Sequence, residues 1–209
     1  MNSIQTHLEA VPLLAILRGL QPEQAQAVGQ ALYDNGVKLI EVPLNRPNAF
    51  AAIENLVQNL PSDAVIGAGT VTEPAQLERL ASLGGKFAVS PHYDIELIEQ
   101  AQTLDLEPMP GIFTPTEAMT AARAGAKYLK LFPASSLSPD YVKAINVILP
   151  ETVHLLAVGG VTANNLKQWL EAGVIAAGVG NGLYCAGDTS ADIAQKVAGF
   201  LTPCSLSKS

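Results

Sequence analysis

KYLKLFPASSLSPDYVKAINVIL, residues 127–149, contains one whole structural unit of this chain. Its first seven residues form a short apolar run. Because successive side chains of a pleated strand point oppositely, Tyr128, Lys130 and Phe132 share one face and Lys127, Leu129 and Leu131 the other. From Ser138 onward the stretch reads as a helix: Pro139 presets φ in the first turn, and Asp140 suits the positive end of the helix dipole. Strand, turn and helix in succession are a βα unit.

The same unit recurs outward in both directions, at a repeat of roughly 20 to 25 residues. Strand candidates are VPLLAILR from Val11, KLIEVPL from Lys38, AVIGAG from Ala64, KFAVSP from Lys86, LEPMPG from Leu106, KYLKLFP from Lys127, HLLAVGG from His154 and VIAAGVG from Val174. Prolines open the helices of QPEQAQAVGQAL, TEPAQLERLASL and TPTEAMTAARAG as well. Gly36, Gly84, Gly125 and Gly173 follow the last apolar position of their helices, where a left-handed residue ends the turn. The segment Leu106–Gly111 carries two prolines and is the poorest strand of the series, since proline cannot donate to a ladder.

Successive parallel strands with helical crossovers make either an open doubly wound sheet or a closed barrel. Polar residues stand at nearly every strand end: Arg18, Glu41, Thr70, Ser90, Lys130, Gly159-Gly160 and Gly180-Asn181. An open sheet would gather them at one switch point, whereas a barrel arranges them as a ring at one mouth. The expected fold is therefore α/β, a single (β/α)8 TIM barrel with a short N-terminal helix. One domain over residues 1–209 is expected, with Ser205 to Ser209 as a loose tail.

Composition narrows the function. A formal charge of −7 with pI near 4.9 opposes nucleic-acid or anionic-membrane partners, because a phosphate polymer would be repelled. A small anion remains compatible if local cations compensate. Cys185 and Cys204 are too few for a disulfide framework and read as free thiols, Cys185 as a packing residue. No apolar run reaches the roughly 20 residues of a membrane span, and the opening MNSIQTHLEA lacks the basic region of a signal peptide. A cytoplasmic location is expected. His7, His92 and His154 are scattered and pair with no acids at ligand spacing, so neither a metal nor another cofactor is expected.

Lys130 carries the sharpest chemical signal. If Tyr128, Lys130 and Phe132 face the barrel interior, an ammonium stands among apolar groups near the strand's C-terminal end. Desolvation there lowers a lysine's pKa from about 10.4 toward neutrality and frees an amine that can attack a ketone. A lysine that snorkels to solvent is the bland alternative. Glu41, on one face with Leu39, Pro43 and Asn45, is a carboxyl embedded in the same way. It reads either as a general acid/base or as a structural partner of Lys130; a charged Glu41 close by would raise the lysine's pKa. Arg18 ends the first strand and suits a bidentate grip on a carboxylate, or a rim ion pair. Thr70 closes IGAGT, whose glycines would let a ligand approach closely. AVGGV at Gly159-Gly160 and GVGNG at Gly180–Gly182 hold no lysine or arginine, so a phosphate there would rest on neutral backbone amides, unless the glycines only make tight turns.

The ordered set ILRG, EVPLN, GAGT, VSP, KLFPAS, AVGGV and VGNGLY resembles, nearly end to end, the family of 2-keto-3-deoxy-6-phosphogluconate and -galactonate aldolases. The resemblance implies a class I aldolase, a carbon-carbon lyase without metal, in which Lys130 forms the Schiff base and Glu41 shuttles protons. Arg18 would hold the pyruvyl carboxylate beside Thr70, Pro91 and Phe132 would shape the pyruvyl pocket, and Gly160, Gly180 and Asn181 would meet the phosphate. Asn181 stands where the family usually has serine. Three positions point to the galactonate type: Pro43 and Asn45 where the gluconate type resembles EVTLR, the basic residue at Arg18, and Val158 before Gly159 where the other type has threonine. The implied partners are a phosphorylated keto-acid, pyruvate and glyceraldehyde 3-phosphate, in a homotrimer. The gluconate epimer as substrate, a phosphosugar isomerase or synthase, and a non-catalytic phosphosugar-binding barrel are the alternatives.

Overall fold

The computed structural model describes residues 4–205. Among the described residues nine strands run in chain order: β1 (Leu13–Ile16), β2 (Leu39–Pro43), β3 (Val65–Gly69), β4 (Phe87–Val89), β5 (Glu107–Met109), β6 (Gly111–Ile112), β7 (Tyr128–Leu131), β8 (His154–Val158) and β9 (Ala176–Val179). The helices are α1 (Ile4–Ala10), α2 (Pro22–Asp34), α3 (Ala49–Asn59), α4 (Pro74–Ser82), α5 (Ile95–Thr103), α6 (Pro115–Arg123), α7 (Pro139–Asn146), α8 (Leu166–Ala172) and α9 (Ser190–Ser205). Proline opens α2, α4, α6 and α7, as their sequences predict. Thr114 and Glu117 close a capping box at α6, with the Glu117 carboxylate accepting the Thr114 N–H at 2.8 Å. Gly36, Gly84, Gly125 and Gly173 all take positive φ at helix ends.

Every strand pairing is parallel, in the order β5-β4-β3-β2-β1-β9-β8-β7-β6, and the sheet curls into a nearly closed barrel. The expected count of eight strands is not exact. The segment from Leu106 breaks at Pro110, so its first half pairs with β4 and its second half with β7. Proline has no N–H to give a ladder, but its carbonyl still accepts the Lys130 N–H at 2.9 Å. The two ends of the sheet therefore meet at one residue. Of the expected tail, Ser205 is the last residue of α9, and 206–209 lie outside the described residues, as does the Cys204 side chain.

Alternation divides the apolar residues into two layers. Outward-facing Ala15, Ile40, Val42, Leu129, Leu131 and Leu155 pack against the helices. Inward-facing Leu14, Leu39, Val65, Phe87, Tyr128 and Leu156 fill the barrel. The short N-terminal helix plugs the N-terminal end of the strands, inserting Leu8 into that inner layer. His7 beside it is buried, and its pKa is lowered, first by burial and then by Lys38. No helix among the described residues is long and apolar enough to cross a membrane.

Leu8 is wholly buried, so Leu8→Ala should leave an interior cavity and cost about 2–5 kcal/mol in urea unfolding. A loss under about 0.5 kcal/mol, the range of neutral surface changes, would mean that α1 does not seat in the barrel.

Candidate active site

Because all the strands are parallel, their C-terminal ends share one mouth. β7 brings Lys130 there, facing inward as Tyr128 does and paired across the sheet with Gly111 and Leu156. β2 brings Glu41, facing inward like Leu39 and aligned with Ile16 and Gly67. Both side chains are almost fully buried, at 7% and 3% exposure, which separates them from every other lysine and glutamate described. The Lys130 Nζ lies 4.5 Å from the centre of the Phe132 ring, an ammonium over an aromatic face. Phe132 itself is partly exposed, one residue past the strand.

Burial decides the electrostatics. It pushes Glu41 up to about 7 against the opposing pull of Lys130 and Arg18. Burial likewise pushes Lys130 down, Glu41 raises it, and Arg18 pushes it further down. Desolvation thus outweighs the mutual attraction of the two groups. No salt bridge joins them among the described residues. The purely structural reading of Glu41 as a salt-bridge partner therefore lacks its bond.

The glycines of IGAGT serve the protein's own side chains rather than opening a path for a ligand, which corrects the expectation. A Cβ at Gly69 would overlap the Glu41 carboxyl oxygen Oε1, and one at Gly67 would strike the Phe87 ring at 2.6 Å. Thr70 adopts φ 57, a left-handed conformation that costs a β-branched residue on the order of 1–3 kcal/mol. From there the Val71 N–H turns away to the Val89 carbonyl at 3.0 Å.

Arg18 stands just past β1, exposed, in a loop held by the Leu17 N–H donating to the Glu41 carbonyl at 2.8 Å. Pro91 follows β4, its carbonyl pressed against Gly111, where a Cβ would lie 2.5 Å away. Val158 is buried at the end of β8, and Gly178 makes room for it beside Ile16. Gly159 and Gly160 take φ 93 and 84, and the Ser135 N–H donates to the Gly159 carbonyl at 2.8 Å. Gly180 accepts from the N–H groups of Leu183 and Tyr184, which leaves Asn181 exposed at a tight turn. Cys185 is not a packing residue: it is exposed at the end of that turn, its thiol 3.4 Å from the Asn181 carbonyl.

Each expected site residue thus stands at the mouth. Two residues went unassigned in the sequence. Ser135 bridges the loops after β7 and β8, and Arg46 lines a depression with Arg18. Arg46 had a readable signal, since it is one of only four arginines and lies three residues past the end of β2. Among the described residues, no three His, Cys, Asp or Glu side chains cluster to hold a metal.

Fold and site together define a parallel α/β barrel enzyme with a desolvated amine and a desolvated carboxyl at one mouth. Comparison with known proteins makes the class specific. The chain belongs to the KDPG and KHG aldolase family, whose model matches residues 4–198, and is thereby a carbon-carbon lyase. A relative from Rhizobium meliloti (strain 1021), a probable 2-dehydro-3-deoxy-6-phosphogalactonate aldolase, is 46% identical over 91% of this chain and 90% of its own. A 2-dehydro-3-deoxy-phosphogluconate aldolase from Dickeya dadantii (strain 3937) is 32% identical over 81% of this chain and 79% of its own. The solved structure of native KDPGal superposes with a TM-score of 0.89 at 42% identity, over 94% of this chain and 95% of that one.

A carboxyl with an ordinary pKa of 4.5 raised to about 7 holds a proton in the folded state that the unfolded state has released. Its contribution to stability is full below about 4.5 and is lost as pH rises through about 7, a change of roughly 3 kcal/mol. Glu41→Gln should flatten stability between pH 5 and pH 8 by about that amount in urea titrations. An unaltered pH slope would show that Glu41 is solvated.

Proposed function

We propose that this protein cleaves 2-dehydro-3-deoxy-6-phosphogalactonate to pyruvate and D-glyceraldehyde 3-phosphate by Schiff-base catalysis. The observation that carries this reading is the pairing of a buried Lys130, whose pKa is pushed down, with a buried Glu41 raised to about 7. A ketone needs a neutral amine as nucleophile, and a reversible proton carrier works best near the ambient pH. The identity of 46% to the galactonate-type relative, against 32% to the gluconate type, supports the galacto epimer.

The Lys130 Nζ adds to the C2 ketone, and water leaves to give an iminium. Glu41 takes the proton of the C4 hydroxyl as the C3–C4 bond breaks. The bond's electron pair moves into the C2–C3 bond to form an enamine, and C4 becomes the aldehyde of glyceraldehyde 3-phosphate. Protonation at C3 and hydrolysis return pyruvate and the free lysine. In this reading Arg18 holds the pyruvyl carboxylate beside Thr70. Pro91, Phe132 and Val158 line the pocket, and the loops at Gly159-Gly160 and Gly180-Asn181 present backbone amides to the phosphate.

Counting the two halves around Pro110 as one broken strand makes the architecture a single (β/α)8 barrel, and we take residues 1–209 to act as one domain. A cytoplasmic homotrimer completes the proposal, supported by family resemblance; light scattering at a monomer mass would remove the trimer.

Pyruvate with borohydride should add a reduced pyruvyl group to the Lys130 peptide, and Lys130→Met should abolish both labelling and turnover. Glu41→Gln should keep the labelling and lower kcat by about 10²–10⁴. Pyruvate release should be faster from the galacto than from the gluco epimer. An unlabelled Lys130 would overturn the mechanism, and a faster gluco substrate would overturn only the epimer assignment.

A further inference from the structure

Arg18 and Arg46 line one depression at the barrel mouth, with Gly19, Gln21, Pro47 and Asn48 between them. Both loops are held in place. The Gln21 side chain donates to the Gly19 carbonyl at 3.0 Å, while Arg46 is restrained by the following Pro47, and Asn48 turns left-handed (φ 64) into α3. Neither guanidinium has an acidic partner: among the described residues the ion pairs belong to Lys38, His92, Lys143, Lys167 and Lys196. Arg79, by contrast, is engaged over the Phe50 ring at 4.2 Å.

Two like charges sharing a depression repel each other, and in a chain of net charge −7 an acid could easily have been placed between them. An oxyanion on a ligand meets both guanidiniums where no side chain does. Of the two, Arg18 bears electrostatically on both Lys130 and Glu41, so it stands toward the reacting carbon. Arg46 bears on neither, so within the shared depression it stands farther out, in the turn after β2.

We propose that Arg46 is a second substrate-binding residue, which with Arg18 receives the carboxylate of the incoming keto-acid. This rests on the aldolase reading above and adds to it a residue acting on affinity for the anionic ketone end. The carboxylate is preferred to the phosphate because it is bonded to the carbon that Lys130 attacks. The phosphate lies at the far end of the substrate, toward the neutral glycine loops after β8 and β9.

The test runs the reaction in the condensing direction, where pyruvate carries only the carboxylate and glyceraldehyde 3-phosphate only the phosphate. Arg46→Ala should raise KM for pyruvate about five- to tenfold, with a smaller effect on kcat, and make kcat/KM less sensitive to ionic strength. Arg46→Lys should recover part of the loss. Arg123→Ala, which removes an exposed charge at the end of α6, should change nothing. An unchanged KM for pyruvate in Arg46→Ala, or a rise in the KM for glyceraldehyde 3-phosphate instead, would overturn the proposal. Borohydride trapping of pyruvate on Lys130 in the same variants keeps the two readings apart. Trapping with an unmoved KM defeats only the role of Arg46, and absent trapping in the unaltered protein defeats the aldolase mechanism beneath it.

Discussion

Two groups of opposite charge have to remain dry at the open end of a barrel, and most of the local structure follows from that requirement. Removing a carboxylate or an ammonium from water costs several kcal/mol each, and their mutual attraction seldom repays it in full. Here the conflict is resolved in protonation rather than in a tight ion pair: Glu41 rises to about 7 and Lys130 falls. The space for the carboxyl comes from the neighbouring strand, where Gly69 has no Cβ to collide with it. The strand then has to end abruptly, and Thr70 takes the left-handed turn that sends the chain to β4. A strained non-glycine residue beside a desolvated carboxyl is understandable if the barrel's packing stabilises both.

The same demand bears on the opposite wall. Lys130 hangs its backbone N–H on the Pro110 carbonyl, at the residue where the fifth strand breaks. A continuous strand there would be an ordinary ladder. The break lets the barrel close with two short halves, each anchored to a different neighbour, and lets Gly111 accept the close approach of the Pro91 backbone. The lysine is thus fixed at the seam of the barrel, with the Phe132 ring against its ammonium.

Periodicity made much of this legible. Alternation in KYLKLFP put Lys130 on one face with Tyr128, and alternation in KLIEVPL put Glu41 on one face with Leu39; both faces of each strand are buried, so which face lines the barrel had to come from the fold. Prolines and glycines marked the helix ends because their backbone restrictions are local. What stayed hidden was set by contacts between strands. Gly67 and Gly69 looked like room for a ligand, and only the register of β3 against β2 and β4 reveals that Glu41 and Phe87 fill that room. Whether Glu41 and Lys130 would neutralise each other was likewise undecidable from spacing, because the answer depends on their burial and separation. Cys185 read as a packing residue because no base stands near it in sequence, but the turn after β9 holds it outside. Arg46 falls beyond the strand, where alternation assigns no direction.

Charge is distributed as the substrate class requires. A chain of net charge −7 repels a phosphorylated keto-acid over most of its surface, so capture depends on where the few cations are placed. Among the described residues, Lys38, Lys143, Lys167 and Lys196 pair with acids of their own, as Lys38 with Asp63 and Lys143 with Asp140. At the mouth the balance reverses: Arg18 acts on a Glu41 that is half protonated near pH 7 and on a Lys130 whose pKa burial pushes down, and Arg46 shares the depression of Arg18. In the proposed mechanism, protonating Glu41 removes a negative charge that would oppose an entering carboxylate, and the proton it then holds must leave before the C4 hydroxyl can be deprotonated. Binding and cleavage therefore favour opposite states of one side chain. A pKa near neutrality lets both states be populated, and a fully ionised or fully protonated Glu41 would favour one step at the expense of the other.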